Sequence, residues 1–204
     1  LEDQIEGSTK EALLAGIRSI IRRATFSYTR QIEMKGLGHA ILTGETLIGP
    51  EPFAVILADD LCLNDDQGVL AQMVELYRQE QCSIVAVEEV PENETDKYGI
   101  VSGQALSDQV VRVESMVEKP DPADAPTNLA VIGRYILTPD IFDILRDLPP
   151  GRNNEIQLTD ALNQQAQAGR VLAYRFKGQR FDCGSIEGFV AATQQVYQSE
   201  IQNS

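Results

Sequence analysis

The sequence predicts an α/β fold in which a mostly parallel central sheet carries helices on both faces and a small antiparallel subsheet is added. Three observations predict it. Phe53-Ala54-Val55-Ile56-Leu57-Ala58 is an apolar run with β-branched residues at its centre and Glu51-Pro52 just before it, the pattern of a strand buried on both faces of a parallel sheet. A helical pattern then separates that run from a second apolar strand, and strand-helix-strand order implies parallel strands joined by a crossover, Rossmann-like in class. From Tyr98 the texture changes to shorter strands, where the antiparallel addition is expected.

The elements follow in order. Ser8-Thr9-Lys10-Glu11 has capping-box spacing, and Leu13, Leu14, Ile17, Ile20 and Ile21 follow at helical intervals, so a helix should run to about Arg23. Thr25 to Gln31 alternates and reads as a short strand. Two glycines, Gly36 and Gly38, precede a helical run from His39 to Leu47; glycines before a helix start let a ligand approach backbone N–H groups. After the 53–58 strand come a turn at Leu63-Asn64-Asp65-Asp66, a helix through Val69, Leu70, Met73, Val74 and Tyr77, and a strand from Ser83 to Val90. Shorter strands are expected at 98–101, 110–117 and 129–137, with a Pro- and Asp-rich connection at 120–126. Helices at 139–148 and 155–168, a strand at 171–176, a turn at 181–184 and a closing helix at 186–198 complete the chain.

The 204 residues suffice for a single domain with a sizeable core, taken here as 1–204. A formal charge of −14 leaves no basic face to displace counterions from a phosphate backbone, which argues against nucleic acid as a partner. An anionic substrate must then be held by a few placed cations or by a metal. Cys62, Cys82 and Cys183 have neither zinc spacing nor the pattern of a disulfide framework, which fits a reduced, cytoplasmic setting. No apolar run approaches the roughly 20 residues of a membrane helix, so no membrane association is expected, and no signal peptide opens the chain. It begins at Leu1 in helix-like sequence, and an N-terminal segment is expected to be missing.

Asp59, at the carboxyl end of the central strand, lies where open α/β sheets form their ligand crevice, which makes it the first candidate metal ligand. Its plainer reading, and that of Asp182, is a turn-capping carboxylate. Glu118-Lys119-Pro120 follows an alternating strand; the ammonium can project from a fixed turn toward a phosphate, or the pair can be ordinary surface charge. Adjacent residues on a strand face opposite ways, so Glu118 and Lys119 can serve one ligand only if the strand ends or twists there. His39, just inside a helix start, reads as structural.

Several stretches together carry a resemblance: Lys35-Gly36-Leu37-Gly38-His39-Ala40, Val55 to Asp60, Tyr98-Gly99, Val117 to Pro120, Asn128 to Tyr135, Glu155-Ile156-Gln157-Leu158-Thr159-Asp160-Ala161 and Asp182-Cys183-Gly184. In order and spacing the set resembles bacterial glucose-1-phosphate uridylyltransferases, also called UDP-glucose pyrophosphorylases, across most of the chain. The resemblance implies a nucleotide-diphospho-sugar transferase fold whose antiparallel subsheet binds sugar. It implies an enzyme joining UTP and glucose 1-phosphate to give UDP-glucose and pyrophosphate with Mg²⁺, and a homo-oligomer, dimer or tetramer.

Carried residue by residue, the resemblance makes Asp59 the catalytic metal-binding aspartate and Asp182 a second metal carboxylate. It gives Lys119 to the phosphate of glucose 1-phosphate, as a catalytic and substrate-binding cation, Glu118 to the sugar hydroxyls, and Gly99 to close approach of the sugar. Gln31 and Gly36 would meet the uracil ring and the nucleotide backbone, since an amide both donates and accepts. Asp60 is read as a solvated neighbour or a group behind the metal ligands, and the 155–161 stretch as architecture or a subunit contact. Two departures stand out. The family's opening strand and Gly-rich nucleotide loop are absent, so these residues alone are not expected to turn over, and Ala58 stands where proline is common. The alternatives are a thymidylyl- or cytidylyltransferase acting on a sugar 1-phosphate, and a catalytically silent regulatory homologue.

Overall fold

The computed structural model describes Gly7 and residues 11–202. Two compact units divide the chain, residues 1–30 and 31–204. In the first, α1 spans Glu11–Arg23, as the periodicity requires, although Ile17, Ile20 and Ile21 are left about half exposed. The capping box at 8–10 lies outside the described residues. Thr25 to Gln31 forms no strand, and Phe26 and Tyr28 point into solvent. Alternation alone did not suffice there: among the described residues no strand is paired with this stretch.

In the second unit the elements run α2 (Gly36–Thr43), α3 (Glu45–Ile48), β1 (Phe53–Ile56), β2 (Asp60–Leu63), α4 (Val69–Glu80), β3 (Ser83–Glu89), β4 (Gly99–Ala105), β5 (Val110–Glu118), β6 (Leu129–Leu137), α5 (Ile141–Asp147), α6 (Leu158–Gln167), β7 (Val171–Arg175), β8 (Gln179–Asp182) and α7 (Ile186–Gln202). Gly44 separates α2 from α3 where one helix was expected.

Six strands form one sheet in the order β1-β6-β3-β7-β5-β4. Among the described residues only β3 and β7 pair parallel; the ladders of β1 with β6, β3 with β6, β5 with β7 and β4 with β5 are antiparallel. The expectation of a mostly parallel sheet is therefore corrected. Its strand-helix-strand logic holds for direction, since β1 and β3 both run against β6 and hence alongside each other. Adjacency is what failed: β6 is buried along nearly its whole length and fills the place between them, so that both its edges are satisfied. The reading of the 53–58 run as a strand buried on both faces is also corrected. β1 pairs only with β6 among the described residues, its burial alternates, and Ile56 is 56% exposed. The antiparallel pair β4 and β5 continues the main sheet, and the separate two-stranded sheet is β2 with β8.

Helices cover both faces. On one side α2, α5 and α6 bury Ile41, Leu145 and Leu162 against Val85, Val87 and Tyr135; on the other, α4 lays Val69 and Met73 on Ile84, Ala86 and Ile136. Successive β3 residues thus enter opposite layers, as strand geometry demands. This three-layer packing fixes the ends of β1, β5 and β8, around which the polar residues gather.

Candidate active site

β1 ends at Ile56, and the Leu57 N–H still reaches the Gly133 carbonyl at 2.9 Å before the chain turns so that Asp60 opens β2. The turn lifts Asp59 out of the sheet, and β2 then pairs with β8, setting Asp60 opposite Asp182. The Cys183 N–H donates to the Asp59 carbonyl at 2.7 Å, and the Gly184 N–H to Asp182 Oδ1 at 3.0 Å. A Cβ on Gly184 would lie 3.1 Å from Asp182 Oδ1 and 3.5 Å from Asp59 Oδ2, so the two carboxylates flank the same glycine. The β2–β8 ladder, which pairs Asp60 with Asp182, thus brings Asp59 near Asp182 although the two lie far apart in sequence.

Asp60 is not solvated. It is 6% exposed; its Oδ2 accepts the Gly133 N–H at 2.5 Å and its Oδ1 accepts Arg180 Nε at 2.5 Å. A Cβ on Gly133 would come within 2.6 Å of that carboxylate, so only glycine leaves room for the bond. The other nitrogens of Arg180 reach Glu88 Oε1 at 2.8 Å, the Tyr98 hydroxyl at 3.3 Å and, more loosely, Asp182 Oδ2 at 3.7 Å, and its guanidinium lies over the Tyr98 ring. Burial disfavours the charge on Arg180, but the Tyr98 hydroxyl, Asp60 and Glu88 overcome that and raise its pKa above the ordinary value. Burial pushes the Glu88 carboxyl up, against the pull of Arg180.

β5 ends at Glu118, and Lys119 adopts a left-handed backbone with φ of 46° while its N–H donates to the Tyr98 carbonyl at 2.9 Å. A residue in that region breaks the pleat, which is how two consecutive side chains come to line one cleft. The strand end that the sequence required is there. Thr159, in the first turn of α6, donates to Glu118 Oε2 at 2.5 Å, and a Cβ on Gly99 would lie 3.2 Å from the Thr159 hydroxyl and 3.4 Å from Glu118 Oε2. The cleft measures about 340 Å³, and Asp59, Asp182, Lys119, Glu118 and Gly99 all line it. Tyr135 lines it too; burial first, then Glu118, Asp60 and Asp59, push its phenol well above the ordinary range, so it is a neutral donor.

Gln31 and Gly36 are not on that lining. The Gln31 amide nitrogen bonds the Gly36 carbonyl at 3.1 Å and His39 Nδ1 at 2.9 Å, bracing its own loop and giving the lone histidine a partner. Gly36 has φ of 87°, and the 35–38 segment is zipped to 155–157: Ile156 N–H to the Lys35 carbonyl at 2.8 Å, Gly38 N–H to the Ile156 carbonyl at 2.9 Å. Leu37, between the two glycines, reaches the cleft wall instead.

Among the described residues no group of three or more histidine, cysteine or acidic side chains could hold a metal. The donor set of two carboxylates still suits a hard cation such as Mg²⁺, which takes one or two carboxylates and completes its shell with phosphate and water oxygens.

The family model described as nucleotidyl transferase matches residues 6–199. A UTP–glucose-1-phosphate uridylyltransferase of Pseudomonas aeruginosa is 62% identical over 200 residues, covering 98% of this chain and 72% of the relative. The chain belongs to the UTP–glucose-1-phosphate uridylyltransferase family. A Staphylococcus epidermidis member is 43% identical, covering 95% of this chain and 67% of its own. Among solved structures, a UDP-glucose pyrophosphorylase complexed with UDP-glucose superposes with a TM-score of 0.90 at 60% identity, covering 93% of this chain and 72% of its own. A UTP-bound UGPase from Acinetobacter baumannii gives 0.84 at 37% identity, covering 96% and 68%. The fold is accordingly the mixed α/β nucleotidyltransferase type.

Arg180 and Tyr135 also line the cleft, as do Glu155, Gln157 and Thr159 of the 155–161 stretch that was expected to serve architecture or a subunit contact. Arg180 had a signal, an opposite charge two residues before Asp182 on a strand and hence on the same face. Thr159 had none beyond its place in a stretch shared with the family, because a threonine and an aspartate at a helix start look like capping residues.

Proposed function

We propose that the protein carrying this chain is a UTP–glucose-1-phosphate uridylyltransferase, joining UTP and glucose 1-phosphate to give UDP-glucose and pyrophosphate. The observation that carries the reading is the meeting, in one cleft, of the Asp59–Asp182 carboxylate pair with Lys119 and Glu118. Relatives of 60% and 37% identity described as complexed with UDP-glucose and UTP-bound support it.

In this reading the nucleophile is a phosphate oxygen of glucose 1-phosphate, which attacks the α-phosphorus of UTP. The bond from the α-phosphorus to the bridging oxygen breaks, and pyrophosphate departs with its electron pair. No general base is required, since the attacking oxygen is already ionised, and the protein's part is to position and to neutralise charge. Mg²⁺ held by Asp59 and Asp182 would supply charge neutralisation at the phosphates. Lys119 holds the sugar phosphate as a point charge. Glu118 accepts hydrogen bonds from sugar hydroxyls over the open face of Gly99, and Tyr135 adds a neutral donor. Gln31 and Gly36 remain the proposed uracil-side contacts.

The test is competition. Native protein offered UTP, dTTP and CTP together with glucose 1-phosphate and Mg²⁺ should make UDP-glucose in clear preference. A preference for dTDP- or CDP-glucose would make it a sister transferase, and binding of UDP-glucose without turnover would make it a silent homologue.

A further inference from the structure

We propose that Thr159 is the positioning residue for sugar recognition: its hydroxyl fixes the Glu118 carboxylate in one rotamer and so sets the selectivity among hexose 1-phosphates. The proposal rests on the uridylyltransferase reading and deepens it.

Glu118 is the last residue of β5, half-buried, with a left-handed Lys119 directly after it. A carboxylate on such a strand end turns easily, because the terminal torsion of glutamate is broad and roughly two-fold. Thr159 removes that freedom. Its hydroxyl donates to Oε2 at 2.5 Å, so one carboxylate oxygen is engaged and the other is presented with a defined direction. Threonine suits the task because branching at Cβ stiffens its first torsion, and because Leu158 and Ala161, beside it on α6, are anchored in the core. Gly99 stands opposite Glu118 in the β4–β5 register, and its missing side chain leaves the Thr159 hydroxyl and the Glu118 carboxylate together on an open floor.

A site built to accept hydrogen bonds from particular hydroxyls rejects an epimer that misplaces one, provided the acceptor cannot swing to follow it. Thr159 is what stops the swing. Thr159→Val keeps the shape and removes the donor, and Thr159→Ser keeps the donor.

The experiment measures binding of UDP-glucose, UDP-galactose and UDP to the native protein and to both variants, with KM values for glucose 1-phosphate and UTP alongside. Thr159→Val should weaken UDP-glucose about tenfold and narrow its margin over UDP-galactose, while UDP affinity and the KM for UTP stay near the native values. Thr159→Ser should restore both. UDP serves as the internal check on folding, since it has no sugar to meet Glu118. Equal loss of UDP and UDP-glucose in Thr159→Val would assign the hydroxyl to structure and overturn the proposal, as would unchanged sugar preference. Failure of the native protein to prefer UDP-glucose over UDP would instead overturn the uridylyltransferase reading on which the proposal stands.

Discussion

Arg180 donates through Nε to Asp60 Oδ1 at 2.5 Å, and the two side chains are only 8% and 7% exposed. A pair this deep carries a desolvation cost, so its removal as a pair costs less than the loss of one partner. The ion pair stands behind Asp59 and Asp182, and ties the small β2–β8 sheet to Gly133 of the main sheet.

Arg180→Met should therefore destabilise the protein by about 3–5 kcal/mol, because it strands Asp60 and Glu88 without their cation. Adding Asp60→Asn to that variant should recover part of the loss. Chemical denaturation of the single and double variants measures both, and a single variant within about 0.5 kcal/mol of native would mean the pair is not buried in solution.

Asp59→Asn should lower kcat by about a hundredfold or more, since a neutral amide is a poor ligand for a hard cation. Asp182→Asn should act in the same direction and raise the Mg²⁺ needed for half-maximal rate. Titration of Mn²⁺ by electron paramagnetic resonance gives a readout independent of turnover. Undiminished Mn²⁺ binding in both variants would place the cation elsewhere.

How much of this was legible in the sequence differs from element to element. β6 is legible with both ends correct, because Leu129, Val131, Ile132, Tyr135, Ile136 and Leu137 are apolar and mostly β-branched or aromatic, and Asn128 and Thr138 bound the run. Asp59 and Asp182 were read as partners through the family's motifs, whereas the ladder that joins them is a tertiary fact. Strand order was not legible: hydropathy says that β1 and β3 are strands and says nothing of β6 lying between them. The same limit hid Arg180 and Thr159, whose partners Asp60 and Glu118 lie far off in sequence. Of the two readings open for Asp60, burial removes the solvated one and leaves the group behind the metal carboxylates.

At Lys119 the backbone makes a sharper case, since its φ of 46° is a conformation that costs a side-chain-bearing residue roughly 1 kcal/mol or more. Elsewhere alanine outdoes glycine in stability by about 0.4–1 kcal/mol. Lys119→Gly should thus be at least as stable as Lys119→Ala, while both raise the KM for glucose 1-phosphate. Paired melting and kinetic curves check this, and an alanine variant keeping its ordinary advantage would show the left-handed turn to be absent.

Asp140 supplies a pH signature away from the cleft. Partial burial opposes its charge, but hydrogen bonds from Thr138 and Gln165 and the Arg170 guanidinium outweigh that and hold its pKa below the ordinary 3.8. A carboxylate with a lowered native pKa contributes stability that is present above 3.8 and is lost as pH falls below it toward the native value. Stability measured against pH should accordingly drop less steeply below pH 3.8 in Asp140→Asn than in the native protein. Parallel curves would remove Asp140 from the acid transition.

In the proposed reading, UDP-glucose is made in the cleft of Asp59, Asp182, Glu118 and Lys119. The most direct test of that reading is the initial rate of UDP-glucose formation from UTP and glucose 1-phosphate with Mg²⁺, in the native protein and in Asp59→Asn. The native protein should give equimolar UDP-glucose and pyrophosphate, abolished by removing Mg²⁺ and reduced about a hundredfold or more in the variant. UDP-glucose formed at the native rate by folded Asp59→Asn, or none formed by the native protein, would contradict it.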